Sequence, residues 1–470
     1  MASSRVYGAI MSADAPAVAA RRILLIAYHF PPSSAVGALR WEKLVGHFGR
    51  HGYAFDVVTL AKPEWGDPAA RFSGVEVRTF PVPERAVLMD RMWKSVRAVK
   101  ELMSGHSRPT APVSRSDAGA VVSVNGEGSA GRPPVSQIQR ARHFLLAHMH
   151  ASTELSWARD AARRALSVAS RGSHVAVITS GPPNYAHVAG TLVSRRLGLP
   201  HVADFRDAWA LAESVPTDLL PSTFRALASR YERSVVSKAS LIVMNTEAAA
   251  QAMRQRYPAA AARTLAVMNG SDAEDRRESP ARRKFTVLYA GNLYLQRDPR
   301  VLFRACAPLI AEYALTPESF EIRLMGDVLD YRGRPTRESA AECGLSDFVT
   351  IEGRVPRSEA LAAAAAASLL VCLPDGQEYS VPAKLFEYVQ LDCWILAFAS
   401  PTSALAIALK GVDADVVTAD NVDAARNAIR NRFLAFREGV RPTRLNSDGR
   451  FDREQQANRF LEAIAAVRSR

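Results

Sequence analysis

A proline, a lysine and a glutamate in one short segment could together bind a nucleotide diphosphate. The segment is YSVPAKLFEY, residues 379–388. Pro382 has no N–H group and a fixed φ angle, so we predict that it begins a helix, with Ser380 or Val381 as the cap. The free N–H groups at such a helix start face the preceding loop and attract anions such as a diphosphate. We therefore place Ser380 and Val381 in a predicted site for this diphosphate, which we call the donor-binding site.

Lys384 and Glu387 add a cation and a carboxylate to the same segment. Residues three apart on a helix share a face, so Lys384 could contact phosphate oxygens while Glu387 accepts two hydrogen bonds from a ribose diol. The alternative is an exposed helix on which the two side chains form a solvated ion pair. The other loops of the chain must decide between these interpretations.

Two further loops in the second half could complete this site. In YAGNLYLQRD, Gly291 leaves room for backbone contact with a ligand, and Arg297 could grip phosphate oxygens with two N–H groups. In IEGRVPRSEA, Arg354 follows a predicted strand and could border the nucleotide base. Ordinary loop positions are the alternative for both arginines. Arg297 and Lys384 together predict a site for a leaving diphosphate.

The loops of the first half supply further candidates. In HFPPSSAVGALR, Gly37 would let the backbone approach a bound donor, and Arg40 would supply a fixed cation. This loop lacks the three glycines of a dinucleotide fingerprint, which argues against a dehydrogenase. In SGPPNYAH, His187 could hydrogen-bond a substrate hydroxyl, but no Ser or Cys nucleophile accompanies it for acyl-enzyme chemistry. A plain loop and a structural histidine are the alternatives.

The segment DFRDAW places Asp204, Arg206 and Asp207 directly after a predicted strand. Hydrophilic side chains at this position could orient an acceptor. They could also pair with one another in an internal ion cluster. We assign the three, with Arg40, as candidate acceptor-binding residues.

The composition is that of a globular chain with excess positive charge. Its 470 residues include 48% hydrophobic and 23% charged residues, and the net charge is +13. The length predicts two domains of roughly 200 residues, and the charge predicts an anionic partner. Zinc-finger spacing and RNP-like motifs are absent, so we expect no nucleic-acid binding. The four irregularly spaced cysteines predict buried free thiols in a reducing cytosol and no metal site.

Strand and helix patterns alternate along the chain, which predicts parallel sheets covered by helices. The predicted strands of the first half are ILLIAYHF, AFDVVTL, VEVRTF, VAVITS, HVADF and LIVMNT, and those of the second half are FTVLYAG, EIRLMG, FVTIEG, SLLVCLP and WILAFA. We predict an α/β fold with two Rossmann-like domains, residues 21–275 and 276–445, facing each other across a cleft. An amphipathic helix over Phe451–Val467 should cover a surface from the terminal segment, residues 446–470.

Residues 1–20 and 104–135 are polar and aperiodic, and we expect a disordered tail and a disordered insert there. Two basic helical candidates flank the insert, Arg91–Leu102 and Gln137–Met149. They could pack against the sheet or contact an anionic membrane surface. Because no apolar run reaches about 18 residues, we expect a cytoplasmic protein, with peripheral contact at the inner face of the membrane left open.

The loops, taken in order, resemble those of the GT-B glycosyltransferases, specifically the family-4-like retaining enzymes. The resemblance covers almost the whole chain and rests on HFPP…G…R, SGPP…H, DFRDAW, AGN…R, MGD, EGRVP and VPAKLFEY. It implies that a nucleotide sugar binds mainly to the second domain and that an acceptor enters mainly from the first. It also implies a terminal helix that crosses back.

The resemblance assigns roles to individual residues. Arg297 occupies the place of a phosphate-binding lysine, and Lys384 follows the phosphate-facing helix start. Glu387 matches a ribose-binding glutamate, and His187 is implied to help at the transferred sugar.

The chain also departs from the family pattern. Tyr379 stands at the first glutamate of the frequent E-x7-E motif, with Glu378 beside it, and Asn292 replaces a usual arginine. We keep Asn292 among the donor-binding candidates. These departures concern contacts to the sugar and the stereochemical outcome, and they leave the diphosphate site intact.

The resulting hypothesis is transfer of a hexosyl group from a UDP- or GDP-sugar to an acceptor hydroxyl in glycan, polysaccharide or glycoconjugate biosynthesis. We expect no metal and no cofactor. The resemblance implies retention, with a diphosphate oxygen helping to deprotonate the acceptor. The acceptor is left open among a glycan, a lipid-linked saccharide and a small molecule. Two alternatives are a GT-B nucleotide-sugar 2-epimerase, which needs no acceptor, and a noncatalytic scaffold for polysaccharide assembly.

Overall fold

The computed structural model of the chain describes most of residues 21–468. The residues outside the description are 1–20, 34, 63–70, 85–136, 208, 210–221, 278, 295, 375, 444 and 469–470. The predicted tail, the predicted insert and the helical candidate Arg91–Leu102 all lie outside the described residues. The second candidate, Gln137–Met149, lies within a helix whose first side chains are not described.

The first sheet has seven parallel strands in the order β3-β2-β1-β4-β5-β6-β7. The strands are β1 Arg21–Ala27, β2 Tyr53–Leu60, β3 Val77–Val82, β4 His174–Gly181, β5 His201–Phe205, β6 Leu241–Met244 and β7 Thr264–Ala266. The helices between them are α1 Val36–Arg50, α2 Gln137–Val168, α3 Tyr185–Leu197, α4 Ser222–Lys238 and α5 Glu247–Arg256. The six predicted strands are present, while β7 was not predicted because three residues show no clear period.

The second sheet has six parallel strands in the order β12-β9-β8-β13-β14-β15, and a short hairpin pairs β10 with β11. The strands are β8 Phe285–Ala290, β9 Phe320–Met325, β10 Asp330–Tyr331, β11 Arg334–Pro335, β12 Val349–Glu352, β13 Leu369–Cys372, β14 Trp394–Phe398 and β15 Ala414–Val417. The helices are α6 Arg300–Glu312, α7 Thr336–Ala341, α8 Arg357–Ala366, α9 Ala383–Tyr388, α10 Ala404–Leu409, α11 Val422–Arg437 and α12 Arg453–Arg468. The prediction of two parallel-sheet domains is confirmed.

Each sheet buries both of its faces. Alternate side chains of a strand point to opposite faces, so Leu24 and Ile26 of β1 join the core under α2–α5, whereas Ile23 and Leu25 join the core under α1 and α12. In the second sheet, α6 and α11 cover one face, and α8, α9 and α10 cover the other. Burial on both faces explains why the strands read as continuous apolar runs.

The terminal helix α12 belongs to the second half in sequence and packs on the first sheet. Its residues Ala457, Phe460, Leu461 and Ile464 lie in the same core as β1 and α1. Arg453 holds its start, because the guanidinium donates to the Gly270 carbonyl at 2.8 Å and to Asp272 at 2.7 Å. The helix therefore crosses back to the first domain, as the family resemblance implied.

The carboxyl ends of the two sheets face each other. Thr246, just after β6, donates its hydroxyl to the Tyr379 carbonyl at 2.6 Å, and Tyr379 lies in the loop after β13. The Tyr379 side chain packs against cores of both domains. Ligands of open parallel sheets bind beyond these ends, so the facing loops are the place to look for a site. In the described part of the chain, no helix combines the length and apolar character that crossing a bilayer requires.

Candidate functional site

A cavity of about 380 Å³ opens in the second domain at the carboxyl ends of β8, β9 and β12. Its walls come from three loops and from the helices α8 and α9. The lining residues are Ala290, Gly291, Asn292, Met325, Gly326, Arg354, Val355, Arg357, Ala360, Leu361, Ala364, Lys384, Glu387 and Tyr388. Five of the predicted donor-binding residues are thus brought to one cavity: Gly291, Asn292, Arg354, Lys384 and Glu387.

Two glycines form the base of this cavity. Gly326 has φ +120°, a conformation that side chains rarely adopt, and a Cβ there would overlap the Gly291 carbonyl group. The Gly291 N–H in turn donates to the Met325 carbonyl at 2.8 Å. The loops after β8 and β9 can approach this closely only because Gly326 lacks a side chain, while a Cβ on Gly291 would crowd the Lys384 ammonium and the Tyr289 hydroxyl instead.

Lys384 occupies a fixed position on the wall formed by α9. Its ammonium lies 4.0 Å above the ring of Tyr289 and donates to the Ala290 carbonyl at 3.2 Å. Tyr289 is fully buried and donates its own hydroxyl to the Asn292 carbonyl at 2.8 Å. A cation held over a ring face is stabilised electrostatically, so the ammonium is oriented toward the cavity before any ligand arrives.

Arg297 does not line the cavity but lies next to the same tyrosine. Its guanidinium stacks 4.3 Å from the centre of the Tyr294 ring. Its positive charge also interacts with the phenol of Tyr289, whose pKa is raised mainly by burial and is lowered in part by Arg297. The two predicted phosphate-binding cations therefore approach Tyr289 from separate elements, Arg297 from the loop after β8 and Lys384 from the helix α9.

Glu387 lies one turn after Lys384 and faces the same cavity, as their spacing predicts. One of its carboxylate oxygens accepts two hydrogen bonds from Arg357, at 2.8 Å from Nε and 2.6 Å from Nη2. The Arg357 side chain is 62% exposed and that of Glu387 is 31% exposed, so solvent weakens the pair. The second carboxylate oxygen of Glu387 has no hydrogen bond to a described residue.

Arg354 and Asn292 border the open side of the cavity. The guanidinium of Arg354 lies 3.3 Å from the carboxylate of Asp327, and both side chains are about two-thirds exposed. The amide oxygen of Asn292 accepts from the Asp327 N–H at 3.3 Å. Asp327 therefore links two cavity residues, although their roles in donor binding stay predictions.

The helix in YSVPAKLFEY begins one residue later than predicted. Pro382 caps the helix, with φ −55° and ψ 130°, and Ala383 is the first helical residue. Neither Ser380 nor Val381 is the cap. Val381 is 9% exposed and its side chain packs in the core. The prediction that this side chain contacts a donor is therefore wrong. Ser380 instead donates its hydroxyl to Gln377.

Arg40 and Asp204 form a buried ion pair, which corrects their assignment as acceptor-binding residues. Arg40 donates to both carboxylate oxygens of Asp204, at 3.2 Å and 3.0 Å, and its remaining donors reach the Val267 carbonyl and the Asn269 side chain, each at 3.1 Å. Arg40 is 2% exposed and Asp204 is fully buried. The pair ties α1 to the ends of β5 and β7, and it presents no free group to an acceptor.

Arg206 and Gly37 contact each other at the start of α1. Arg206 donates to the Gly181 carbonyl at 2.8 Å and to the Pro182 carbonyl at 2.7 Å. A Cβ at Gly37 would overlap the Arg206 guanidinium. The close approach at Gly37 is therefore to a protein side chain rather than to a donor, and Arg206 shapes the loop after β4. Asp207 is exposed beside them, and its acceptor contact stays a prediction.

His187 is fully buried at the first turn of α3. Its Nδ1 lies 2.8 Å from the Thr179 hydroxyl, and its Nε2 has no hydrogen-bond partner among the described residues. Burial, followed by the nearby His201 and Arg206, holds the pKa of His187 well below its usual range, so the ring is neutral. A catalytic role of His187 stays a prediction.

Several residues of these sites were not predicted. Arg357 stands at a helix start, Gly326 occurs in the MGD motif, and Tyr289 is an apolar strand position in sequence. Only the glycine carried a signal, because a glycine after a strand often marks close backbone approach. Among the described residues, no three His, Cys, Asp or Glu side chains come together as metal ligands would.

Solved structures match the chain over nearly its whole length. Sucrose-phosphate synthase from Thermosynechococcus elongatus matches with TM-score 0.57 and 15% identity, covering 95% of this chain and 99% of that one. HepE from Anabaena, solved with UDP-glucose, matches with TM-score 0.53 and 15% identity over the same shares. The lipopolysaccharide outer core galactosyltransferase WaaB matches with TM-score 0.55 and 13% identity over the same shares.

Sequence comparison gives a different result. No family model matches the chain, and no curated protein sequence matches it. Identities of 13–15% to the solved structures establish similarity of fold. The two facing parallel sheets, the crossing helix α12 and the coverage of these structures together show that the chain has the GT-B fold.

Proposed function

We propose that the protein is a glycosyltransferase that moves a hexosyl group from a UDP- or GDP-sugar to an acceptor hydroxyl. The observation that carries the proposal is the pair of Lys384 and Glu387 on one wall of the cavity in a GT-B fold. A cation and a carboxylate one helical turn apart match the phosphates and the ribose of a nucleotide. The matched structures include one solved with UDP-glucose and one described as a galactosyltransferase, which supports a nucleotide-sugar donor.

The proposed chemistry is electrostatic. Lys384 and Arg297 stabilise the negative charge that grows on the departing diphosphate, because both cations are held in place by Tyr289 and its neighbours before the donor binds. The free carboxylate oxygen of Glu387 accepts a ribose hydroxyl. We expect this to proceed without a metal and with retention, in a pathway that builds a glycan, a polysaccharide or a glycoconjugate.

Acceptor binding falls to the first domain in this proposal. Its loop after β6 contacts the second domain at Thr246 and Tyr379. The acceptor is a glycan, a lipid-linked saccharide or a small molecule with a free hydroxyl. A cytoplasmic location is part of the same proposal, with peripheral contact at the membrane left open.

Nucleotide binding by matched variants tests the site. We expect UDP or GDP to raise the melting temperature of the wild type, and Lys384→Ala to lower the affinity about 30-fold to 300-fold, since a charge-assisted contact is lost. Lys410→Ala is the control, because Lys410 is an exposed lysine of the same domain outside the cavity. Equal affinities of the wild type and Lys384→Ala would refute the assignment.

Turnover assays separate the alternatives. A transferase releases UDP or GDP when an acceptor from a glycan panel is added. An epimer formed from the donor alone would identify a nucleotide-sugar 2-epimerase instead. Nucleotide binding without release for any acceptor would favour a noncatalytic scaffold.

A further inference from the structure

Four polar side chains form a buried hydrogen-bond chain under the loop that follows β4. The chain links Thr191 and His187 on α3, Thr179 on β4 and His201 on β5. Each of the four is at most 9% exposed. Because water does not reach these groups, every polar hydrogen must go to one of the few acceptors present, and the protons can be placed one by one.

The placement starts at Thr191. Its hydroxyl donates to the His187 carbonyl at 2.9 Å, one turn back on the helix. A lone pair of the Thr191 hydroxyl then faces Nδ1 of His201 at 3.4 Å, so Nδ1 carries the proton. Burial lowers the pKa of His201 to about 3, so the ring is neutral and its Nε2 is bare.

The bare Nε2 of His201 lies 2.9 Å from the Thr179 hydroxyl and accepts its proton. Thr179 then has only lone pairs left for His187, whose Nδ1 lies 2.8 Å away, so this Nδ1 carries the proton. If Thr179 instead donates to the Val202 carbonyl at 3.4 Å, its oxygen still accepts from His187 Nδ1. The reverse arrangement would set bare His201 Nδ1 against a lone pair of Thr191.

His187 therefore presents a bare Nε2, and this nitrogen points at Gly181. A Cβ built on Gly181 would lie 2.7 Å from Nε2 and would also overlap the side-chain oxygen of Asn184. The Asn184 oxygen and the His187 nitrogen are both buried without a partner. Two hydrogen-bond acceptors thus converge beside the Cα of Gly181, and no described residue donates to either.

We propose that Thr179, Thr191 and His201 are positioning residues that hold His187 in its Nδ1–H tautomer, so that Nε2 accepts a hydrogen bond from a hydroxyl of the bound sugar. The inference rests on the proposed function. A Cβ at Gly181 would already overlap both acceptors, so the loop after β4 must open to admit the hydroxyl, and a side chain at Gly181 would block it. Such a site selects a sugar with a donating hydroxyl over its deoxy or deoxyfluoro analogue.

The tautomer can be read directly from the full-length protein without substrate. Long-range proton–nitrogen correlation spectra of protein labelled with ¹⁵N-histidine distinguish a protonated Nδ1 from a protonated Nε2, and His187→Gln assigns the signals. We expect the Nδ1–H form in the wild type and in Thr179→Ser, and a mixture or the Nε2–H form in Thr179→Val. An Nε2–H tautomer in the wild type would overturn the proposal, as would no change in Thr179→Val.

Turnover supplies the second test. We expect Thr179→Val to lower kcat/KM for the sugar donor about 10-fold to 100-fold, with most of the activity restored in Thr179→Ser. Thr59→Val is the matched control, because Thr59 is also a buried strand threonine whose hydroxyl donates to a carbonyl, that of Tyr28 at 3.2 Å. Equal kcat/KM for Thr179→Val and Thr59→Val would contradict the proposal. A wild type that shows the Nδ1–H tautomer but no transfer would refute the proposed function alone.

Discussion

Gly326→Ala should damage both the stability of the second domain and its nucleotide site. At φ +120° an alanine costs about 1–3 kcal/mol in backbone strain. Its Cβ would also lie 3.0 Å from the Gly291 carbonyl carbon and overlap the carbonyl oxygen, and such overpacking adds about 1–3 kcal/mol. The expected loss in the free energy of unfolding is therefore about 2–6 kcal/mol, or roughly 4–24 °C in melting temperature at about 2–4 °C per kcal/mol for a domain of this size.

The consequence for binding follows from the position of Gly291. Pushing its carbonyl away from Gly326 moves the loop against which the ammonium of Lys384 is held, since a Cβ on Gly291 would already lie 2.9 Å from that nitrogen. We expect the affinity for UDP or GDP to fall at least about 10-fold. Scanning fluorimetry gives the melting temperature, and isothermal titration calorimetry gives the affinity at a temperature where the variant is folded.

Gly353→Ala is the matched control. Gly353 also follows a strand of the second sheet, and its carbonyl accepts from the Gly326 N–H at 3.2 Å, but a Cβ there would meet nothing within 4 Å. We expect a change within about 0.5 kcal/mol and unaltered affinity. The reasoning would be refuted if Gly326→Ala melted and bound nucleotide like the wild type, or if both variants lost the same stability.

Three further predictions concern charged groups. Burial alone would raise the pKa of Asp56, but hydrogen bonds from His174 and Arg78 lower it to about 2. The contribution of Asp56 to stability is therefore present above about pH 4 and is lost as the pH falls toward 2, which acid titration of the wild type and of Asp56→Asn measures. At pH 7, Asp56→Asn should cost about 3–5 kcal/mol of the free energy of unfolding. Burial, with the charge of Glu84, raises the pKa of Glu154 to about 7, so the loss of stability grows as the pH rises from about 4.5 to 7 and is complete above pH 7; Glu154→Gln should raise the melting temperature more at pH 8 than at pH 4, and equal shifts would contradict this. Arg357→Ala releases Glu387 and should raise the nucleotide affinity about 3-fold to 10-fold. An unchanged affinity would show that the ion pair is only a surface contact.

The local patterns of the chain were sufficient for the fold class and for the placement of Lys384 and Glu387 on one wall of the cavity. Strand periodicity and buried apolar runs depend only on neighbouring residues, so eleven strands of the two sheets could be predicted one by one. The helix that carries Lys384 and Glu387 is equally local, since residues three apart share a face wherever the helix lies. The short strands β7 and β15 escaped because three or four residues carry no period.

Which charges are free, by contrast, depends on the tertiary structure. Arg40 and Asp204 are 164 positions apart in sequence, and the order of strands in the first sheet brings them into a buried pair that removes both from the candidate acceptor site. The same folding joins Arg357 to Glu387 and places Thr179 between two histidines. The residue types and their local spacing thus determine which helices, strands and polar loops form. Only the packed sheets decide which polar groups satisfy one another and which are left for a ligand, because a hydrogen bond needs its partners within about 3 Å whatever their distance along the chain.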